Sequence, residues 1–373
     1  MAEKRENIYR RQDGRWEGRY IKGYKPTRKP RYGYVYGKDY TTVYEKLEAF
    51  KRKFQRPDNA VGFTGMFSDF AIGWLDAAAR NDGIKPSTYG SYYRDIHNHI
   101  IPDFGADKLP HLLDESDVDE FRNKLKAKGL SADTIARIMR LLYTLIAKAR
   151  KAGIIVTEIE KKTMPHKRKR RITVLSRAEQ AALERVCEGE KTGLLVLLAL
   201  YTGMRVGEIS ALQWPDVYLD EGLIYVRETA QRLNKYDNDE DEAKTALTFG
   251  LPKSATSERY IAIPPKLIAY LQKAKDKADC EYVISCKRHI AEPRVCQYRF
   301  ERLLQKADIQ KTGFHSLRHT YATRCMESGM DVKTLAAQMG HSKVEMTLKY
   351  GDALMEHKKT AVAVLDNVCQ IAG

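Results

Sequence analysis

The chain has 373 residues, too many for one ordinary hydrophobic core, so its length predicts two or three domains. Its content of 43% hydrophobic and 31% charged residues is typical of a soluble globular protein. The balance is strongly basic, with 65 Lys and Arg against 49 Asp and Glu and a formal net charge of +16. Such an excess favours a polyanionic partner, above all nucleic acid, with a basic solvated surface as the alternative.

Cysteine spacing and hydropathy exclude several other classes of protein. The six cysteines form no C-x-x-C pair and no regular pattern, so they indicate neither a zinc site nor a disulfide framework. Reduced cysteines in a cytoplasmic protein are the simplest interpretation. The N-terminus has no apolar signal segment, and no stretch approaches the roughly eighteen apolar residues of a membrane helix, so no membrane association is expected.

Residues 1–60 are predicted to form a small basic domain of three strands and a helix. Asp13-Gly14 predicts a tight hairpin, because a two-residue turn needs a pair of positive φ angles, and the helix is expected to open at Thr41 or Thr42 as its cap. Since strand residues alternate between faces, one face packs on the helix and the other presents Arg and Tyr to a DNA groove. A solvated scaffold face is the alternative. The candidate DNA contacts in this domain are Arg15, Arg19 and Lys22.

Residues 64–158, after a turn-rich segment at 57–63, predict a bundle of four amphipathic helices. Each helix opens with Ser, Thr or Asp, and several close with Gly. The second helix, within "PSTYGSYYRDIHNHI", carries side chains that suit phosphate contacts. The candidates on this helix are Thr88, Tyr92 and Arg94.

Residues 159–171 are predicted to be a basic linker between two folded segments. Seven of the eleven residues in "KKTMPHKRKRR" are Lys or Arg. Such a run suits a segment lying along a DNA backbone, and a plain linker or an import signal are the alternatives. The candidate contacts here are Lys167, Arg168 and Arg170.

Residues 172–373 predict one larger mixed α/β domain. The segment "SRAEQAALERVC" is a capped helix, and "GLLVLLALYTGM" is a buried helix broken at Thr202-Gly203. The strands "GLIYVRETA" and "RYIAIPP" flank a long polar insertion, and helices follow to the C-terminus. The predicted fold is therefore multi-domain and mainly α with small sheets.

The chemistry carried by the last domain suits phosphoryl transfer. That reaction needs cations around the non-bridging oxygens, an in-line nucleophile and a proton donor for the leaving oxygen. Arginine clamps phosphate well, because its planar fork pairs two oxygens and stays charged. The chain has neither an H-E-x-x-H motif nor a P-loop, but it contains candidate cations, a candidate nucleophile and a candidate proton donor. The candidate catalytic residues are Arg205, Lys253, His315, Arg318, His341 and Tyr350, with Glu208 one turn after Arg205 to hold its guanidinium.

The order and spacing of these motifs resemble the tyrosine recombinase, or phage integrase, family over roughly residues 172–368. The motifs are "TGMRVGE", Lys253 followed by Ser257 and Arg259, "HSLRHTYAT", "MGHS", and a tyrosine nine residues after His341. The upstream segments resemble the arm-type-binding and core-binding domains of lambda-integrase-like members. The stretch "RRQDGRWEGRY" is most similar to integrases of conjugative transposons from Gram-positive bacteria.

The resemblance implies a site-specific DNA recombinase of a mobile element that works without metal or ATP. Tyr350 would attack the scissile phosphate, forming a 3′-phosphotyrosyl link on the way to a Holliday junction, while Arg205 and Arg318 clamp the non-bridging oxygens. Lys253 would protonate the departing 5′-oxygen. His315 would assist proton transfer from the tyrosine, His341 would hydrogen-bond the phosphate, and Glu208 would orient the surroundings of Arg205.

The expected partners are double-stranded DNA with core-type and arm-type sites, three further copies of the chain in a tetramer, and an accessory DNA-bending protein or excisionase. A nucleoid-associated location in the cytoplasm follows. The C-terminal segment after Tyr350 predicts a helix that docks on a neighbouring copy, and its apolar face comprises Leu354, Ala361, Leu365 and Val368.

Several alternatives stay open. A type IB topoisomerase would use similar chemistry, and a non-enzymatic DNA-binding regulator could be built from the same domains. Lys244 is the alternative to Lys253 as the catalytic lysine. His319 is expected to be structural and to point away from the catalytic face. Asp352 stands where many relatives have a histidine, which changes the surroundings of Tyr350.

Overall fold

The computed structural model describes residues 7–24, 30–54, 65–81, 83–105, 108, 110, 113–155, 157–162, 172–236, 244–250, 258–348 and 350. The chain divides into two compact units, Met1–Lys169 and Arg170–Gly373. Within the described residues, no helix is long and apolar enough to cross a membrane.

The first unit begins with the expected three-stranded sheet and helix. Strands β1 (Ile8–Arg10), β2 (Trp16–Tyr24) and β3 (Pro30–Gly37) are antiparallel in that order, and helix α1 (Tyr40–Phe54) follows. One face of the sheet packs on α1, where Val35 contributes to a small core with Val43 and Leu47. Gly18 allows this close approach, because a Cβ at that position would lie 2.9 Å from Val43.

Two local predictions in this domain are wrong. Among the two turn residues, Gly14 alone has a positive φ, of 81°, because the amide of Arg11 bonds the carbonyl of Arg15 at 2.8 Å and closes a wider loop. The cap of α1 is Asp39, whose carboxylate accepts the backbone amide of Thr42 at 2.7 Å and the Thr42 hydroxyl at 2.8 Å. A carboxylate also suits the positive end of the helix dipole.

The four-helix bundle is present in the same unit. It comprises α2 (Phe67–Asn81), α3 (Pro86–Asp95), α4 (Glu115–Ala127) and α5 (Ala132–Lys151). The predicted continuation of α3 through "IHNHI" is instead a π-helical segment, Ile96–Gly105, which contains Pro102. Proline has no amide hydrogen, so a regular α-helical ladder cannot pass through it. The core is formed mainly by aromatic and aliphatic side chains, among them Phe67, Phe104, Phe121, Ile138 and Leu142.

The start of the predicted linker lies on this bundle. Ile159 packs against the bundle core, and the ammonium of Lys162 forms an ion pair with Asp119. The rest of the linker, at 163–171, lies outside the described residues, as do the segment 57–63 and residues 351–373 with the predicted C-terminal helix.

The core of the second unit is built around a helix that is apolar on every side. Helices α6 (Arg177–Gly189), α7 (Leu194–Thr202) and α8 (Val206–Ala211) open the unit, and α7 is almost entirely buried. A helix without a polar face is stable only in the interior, and α7 is the centre of the core. The later helices are α9 (Pro265–Lys275), α10 (Pro293–Lys306), α11 (His315–Glu327), α12 (Val332–Met339) and the single turn α13 (Glu345–Leu348).

Small antiparallel sheets lie between these helices. Strands β4 (Val217–Tyr218), β5 (Leu223–Val226) and β8 (Arg259–Ala262) form one sheet, and β9 (Ser285–Cys286) pairs with β10 (His289–Ile290). The predicted polar insertion is itself a hairpin, of β6 (Thr229–Asn234) and β7 (Thr245–Gly250). It packs on α8, where a Cβ at Gly207 would lie 2.5 Å from the Thr229 hydroxyl.

Candidate active site

The site begins where α7 ends. Gly203 has a φ of 64°, which L-residues rarely adopt, and a Cβ there would lie 2.4 Å from the ring of Tyr321. Glycine therefore allows the helix to stop and Tyr321 of α11 to pack against the break. Tyr321 is buried, as its interpretation as a core residue requires. The chain then turns so that Arg205 precedes the first turn of α8.

A buried carboxylate joins two arginines in this site. Arg205 donates to Oε1 of Glu208 at 2.6 Å, and Arg259 of β8 donates to Oε2 at 3.1 Å. Glu208 is only 3% exposed. Burial alone raises the pKa of Glu208, but the charges of Arg259 and Arg205 outweigh it, so that the pKa is lowered and the carboxylate is ionised.

Arg318 lies at the floor of the site and is 2% exposed. Its guanidinium donates to the carbonyl of Met339 at 2.6 Å and to that of Gly203. Burial and the neighbouring Arg205 lower the pKa of Arg318 to about 9, which leaves the group protonated at neutral pH. A buried cation is thus held at the break between α7 and α8 and at the end of α12.

A second arginine holds the same end of α12. Nε of Arg259 donates to the carbonyl of Gln338 at 2.7 Å. Gly340, with a φ of 62°, lies against this guanidinium, and a Cβ there would be 3.0 Å from it. Lone carbonyls at a helix C-terminus carry partial negative charge, so both arginines are well matched to them. His341 is the residue directly after Gly340, so its backbone position depends on this end of α12.

His341 and Tyr350 stack with parallel rings, their centroids 6.5 Å apart. Nδ1 of His341 lies 2.8 Å from the Thr347 hydroxyl, which fixes the ring on α13. Burial and the charge of Arg318 lower the pKa of His341 to about 4, so the imidazole is neutral at neutral pH.

Tyr350 is buried, with 5% of its surface exposed. Burial raises the pKa of its phenol, while the charges of Arg318 and Arg205 lower it, and the net direction is upward. The phenol is therefore protonated at neutral pH and lies within the electrostatic influence of two arginines. Its hydroxyl lies 3.0 Å from Nδ1 of His319.

The expectation that His319 points away from the catalytic face is therefore wrong. His315 and His319 are four residues apart, which places them on one face of α11, and their rings meet edge to face at 4.5 Å. The spacing itself was the signal that could have found His319. His315 is exposed, yet partial removal from water, followed by the charges of Arg318 and Arg205, lowers the pKa of its ring.

Arg259 was also missed as a site residue. Its strand alternates buried and exposed positions, and Arg259 shares the buried face with Ile261. An arginine at a core-facing strand position requires a partner, so period-two alternation was the available signal. The predicted lysine, Lys253, lies outside the described residues. Its alternative, Lys244, is exposed and comes immediately before β7.

The structure describes only some of the candidate DNA-contacting residues. Arg15 is exposed and pairs with Asp13 at 2.8 Å, and the guanidinium of Arg19 lies 4.2 Å from the ring centre of Tyr32. The side chain of Lys22 and residues Lys167, Arg168 and Arg170 lie outside the described residues.

On α3, the three candidates differ in their surroundings. Thr88 is half-buried, and Tyr92 packs on Trp74 with ring centroids 5.9 Å apart. Arg94 is exposed, and its Nε donates to the carbonyl of Gly90 at 3.3 Å. No group of three or more His, Cys, Asp or Glu side chains that could hold a metal ion occurs in the described part of the chain.

Two known protein domains match the chain. The Phage integrase family matches residues 173–357, and the Phage integrase N-terminal SAM-like domain matches residues 66–126. A XerC-like tyrosine recombinase of Caldanaerobacter subterraneus subsp. tengcongensis is 24% identical over 81% of this chain and 84% of its own. The prophage integrase IntR of Escherichia coli is 26% identical over 67% and 68%.

Solved structures with the same fold include two DNA complexes. A Tn1549 transposon integrase in complex with a circular intermediate DNA has a TM-score of 0.67 and 19% identity, covering 80% of this chain and 99% of its own. A lambda integrase dimer bound to a core site has a TM-score of 0.60 and 19% identity, covering 94% and 95%. These likenesses concern the fold.

Proposed function

We propose, because this chain belongs to the phage integrase family of tyrosine recombinases, that Tyr350 is the residue with which it cuts and rejoins DNA. The chain is an enzyme of site-specific DNA recombination. The observation that carries the assignment is the position of the phenol, buried beside His341 and within the electrostatic influence of Arg318 and Arg205.

The proposed reaction exchanges one phosphate ester for another. The phenolic oxygen of Tyr350 bonds the scissile phosphorus, and the bond to the 5′-oxygen breaks and leaves a 3′-phosphotyrosyl link. Arg205 and Arg318 stabilise the charge that develops on the non-bridging oxygens, and His341 hydrogen-bonds the phosphate. Each such donor contributes about 10²–10³ in rate when it behaves like other preorganised donors.

The other roles rest on the family pattern together with the local structure. Lys253 protonates the departing 5′-oxygen, and His315 assists the transfer of the phenolic proton. Glu208 acts through Arg205, because its carboxylate holds that guanidinium at 2.6 Å. Arg318 acts from a fixed position, since its two carbonyl partners leave it little freedom to reorient.

The proposed substrate is the DNA at the ends of a mobile element, bound by four copies of the chain. Two observations on similar proteins support this. The Tn1549 transposon integrase was solved with a circular intermediate DNA, and a lambda integrase tetramer, with a TM-score of 0.61, was solved on a Holliday junction. We propose that the segment after Tyr350 forms a helix that docks on a neighbouring copy, and that a DNA-bending protein or excisionase assists at the nucleoid.

The N-terminal sheet is the proposed reader of a separate, arm-type sequence. The face of the sheet opposite α1 exposes Tyr34 and Tyr36, and Arg19 lies over Tyr32. Aromatic and guanidinium groups on a sheet face suit contacts with a DNA groove, and the excess of basic over acidic residues in this part of the chain supports it.

Replacing Tyr350 by Phe tests the nucleophile. Tyr350→Phe removes only the phenolic oxygen, so we expect no covalent protein–DNA adduct on a nicked suicide substrate while affinity for core-type DNA is unchanged. Tyr321→Phe is the matched control, because Tyr321 is buried in the same cluster, and it should still form the adduct.

An adduct that persists in Tyr350→Phe would contradict the assignment. Relaxation of supercoiled DNA without joining of two duplexes would favour the topoisomerase alternative, and the absence of any adduct with the unmodified chain would favour a DNA-binding regulator.

A further inference from the structure

The nucleophile candidate has a hydrogen-bond partner to which the family pattern assigns no role. Nδ1 of His319 lies 3.0 Å from the hydroxyl of Tyr350, and the two ring centroids are 5.5 Å apart. Among the described residues, no hydrogen bond joins His315, the expected proton-transfer residue, to this hydroxyl. Within the described part of the chain, His319 is therefore the hydrogen-bond partner of the phenolic hydroxyl.

The fold fixes His319 in this position. It lies one helical turn after His315 on α11 and directly after Arg318, whose guanidinium is held by two carbonyls. The ring of His315 packs edge-on against that of His319 and limits its rotation. The side chain that touches the attacking oxygen is thus held in place by its packing against His315.

The protonation states of the pair are complementary. Partial burial, followed by the charges of His315 and Arg318, lowers the pKa of His319 to about 4, so its ring is neutral and has one unprotonated nitrogen at neutral pH. The phenol of Tyr350, with its raised pKa, keeps its proton. A phenol that donates to Nδ1, with the ring proton on Nε2, fits both states and places an acceptor on the phenolic proton.

We infer that His319 is the general base of strand cleavage, which takes the proton of Tyr350 as the phenolic oxygen attacks the phosphate. This inference rests on the proposed role of Tyr350 as nucleophile. The O–H bond of Tyr350 breaks and its proton passes to Nδ1, while the O–P bond forms. The bond from phosphorus to the 5′-oxygen breaks, and that oxygen takes a proton from the acid of the site. In rejoining, the imidazolium returns its proton to the departing tyrosine oxygen.

Bound DNA removes one of the causes that weaken this base. Burial is the main cause of the lowered pKa of His319 and the charge of His315 is the next, while the smaller effect of Arg318 is the part that a phosphate bound to the arginines neutralises. The proton is then transferred into a site where an imidazolium is paired with the charge on the phosphate. His315 then assists the proton transfer indirectly, because its ring packs against that of His319 and holds it in place.

The first test uses His319→Asn, which leaves a hydrogen-bonding group near the position of Nδ1 but no base. We expect single-turnover cleavage of a suicide substrate to fall by about 10²-fold or more, the range for general-base loss, with core-site affinity unchanged. His289→Asn, on the exposed strand β10, is the matched control and should cleave at the normal rate.

The second test changes the leaving group. A 5′-bridging phosphorothiolate leaves as a thiolate and needs no proton, so it should restore cleavage by Lys253→Ala but not by His319→Asn. The third test places a fluorinated tyrosine of lower phenol pKa at position 350. It should restore part of the rate of His319→Asn, because a more acidic phenol depends less on a base.

Each outcome bears on the inference separately from the proposed function. Cleavage by His319→Asn at the normal rate overturns it, and so does a slow variant that gains nothing from the fluorinated tyrosine, since that result is expected of a purely positioning residue. His319→Gln repeats the test if His319→Asn does not fold. An adduct formed by Tyr350→Phe would instead overturn the nucleophile assignment.

Discussion

Glu208 lies between two guanidinium groups from different parts of the chain, Arg205 before α8 and Arg259 in β8. Arg259 also bonds the end of α12, so the carboxylate indirectly connects three segments. Desolvation of a carboxylate is costly, and its two partners offset that cost. At the residue scale, two arginines of this site are thus arranged around one buried anion.

Removal of that anion should affect stability as well as activity. Glu208→Gln leaves two buried or half-buried cations without a counter-charge, so we expect the free energy of unfolding to fall by about 3–5 kcal/mol, the range for breaking a buried ion pair. Urea unfolding measures this. Glu221→Gln, an exposed carboxylate of the same unit, should leave the unfolding free energy unchanged. Equal stability of the two variants would show that Glu208 has no such role.

At the scale of elements, the break between α7 and α8 determines where Arg205 lies. Gly203 ends α7 in the left-handed region, and Tyr321 of α11 packs directly on it. This contact joins the helix that carries Arg318 to the loop that carries Arg205. The distance between the two arginines is therefore set by how closely α7 and α11 pack.

Gly203→Ala tests this packing. We expect the free energy of unfolding to fall by more than about 1 kcal/mol, because a Cβ at this position collides with Tyr321 and the backbone has a positive φ that alanine adopts only with strain. Gly329→Ala is the matched control, since Gly329 has a φ of 86° with open space around it. Thermal unfolding should show Gly203→Ala as the less stable variant, with slower cleavage. If the two variants are equally stable, the contact with Tyr321 does not matter.

The sequence predicted most elements but not their long-range contacts. Three features could be predicted because they depend only on residues close together in the sequence. They are the capping box of α6, the apolar helix α7 and its break at Gly203. The β6–β7 hairpin was not, because its strands look polar and gain their order by packing on α8. The pairing of Arg259 with Glu208 joins residues 51 positions apart, so local patterns could not reveal it.

At the scale of the whole molecule, the distribution of charge favours separate binding tasks. The chain has a net charge of +16, and its first segment contains clearly more basic than acidic residues. The N-terminal sheet has its own small core with α1, and the bundle has another. Independent cores allow one part to be removed without unfolding the others.

Deletion of residues 1–60 follows from this arrangement. We expect the shortened protein to cleave core-type DNA normally but to lose affinity for a second, arm-type sequence. Phosphate contacts release counterions, so the lost affinity should be the part that falls steeply with salt. Binding titrations at several salt concentrations measure it. Unchanged affinity for every part of the element-end DNA would contradict the proposed role of the sheet.

The most direct measurement is the identity of the residue joined to DNA. The full chain, trapped on a suicide substrate cut from element-end DNA, can be digested and its nucleotide-linked peptide sequenced by mass spectrometry. The chain contains 22 tyrosines, so the result discriminates strongly. We predict that the phosphate is attached to Tyr350. Attachment to any other tyrosine would contradict the account.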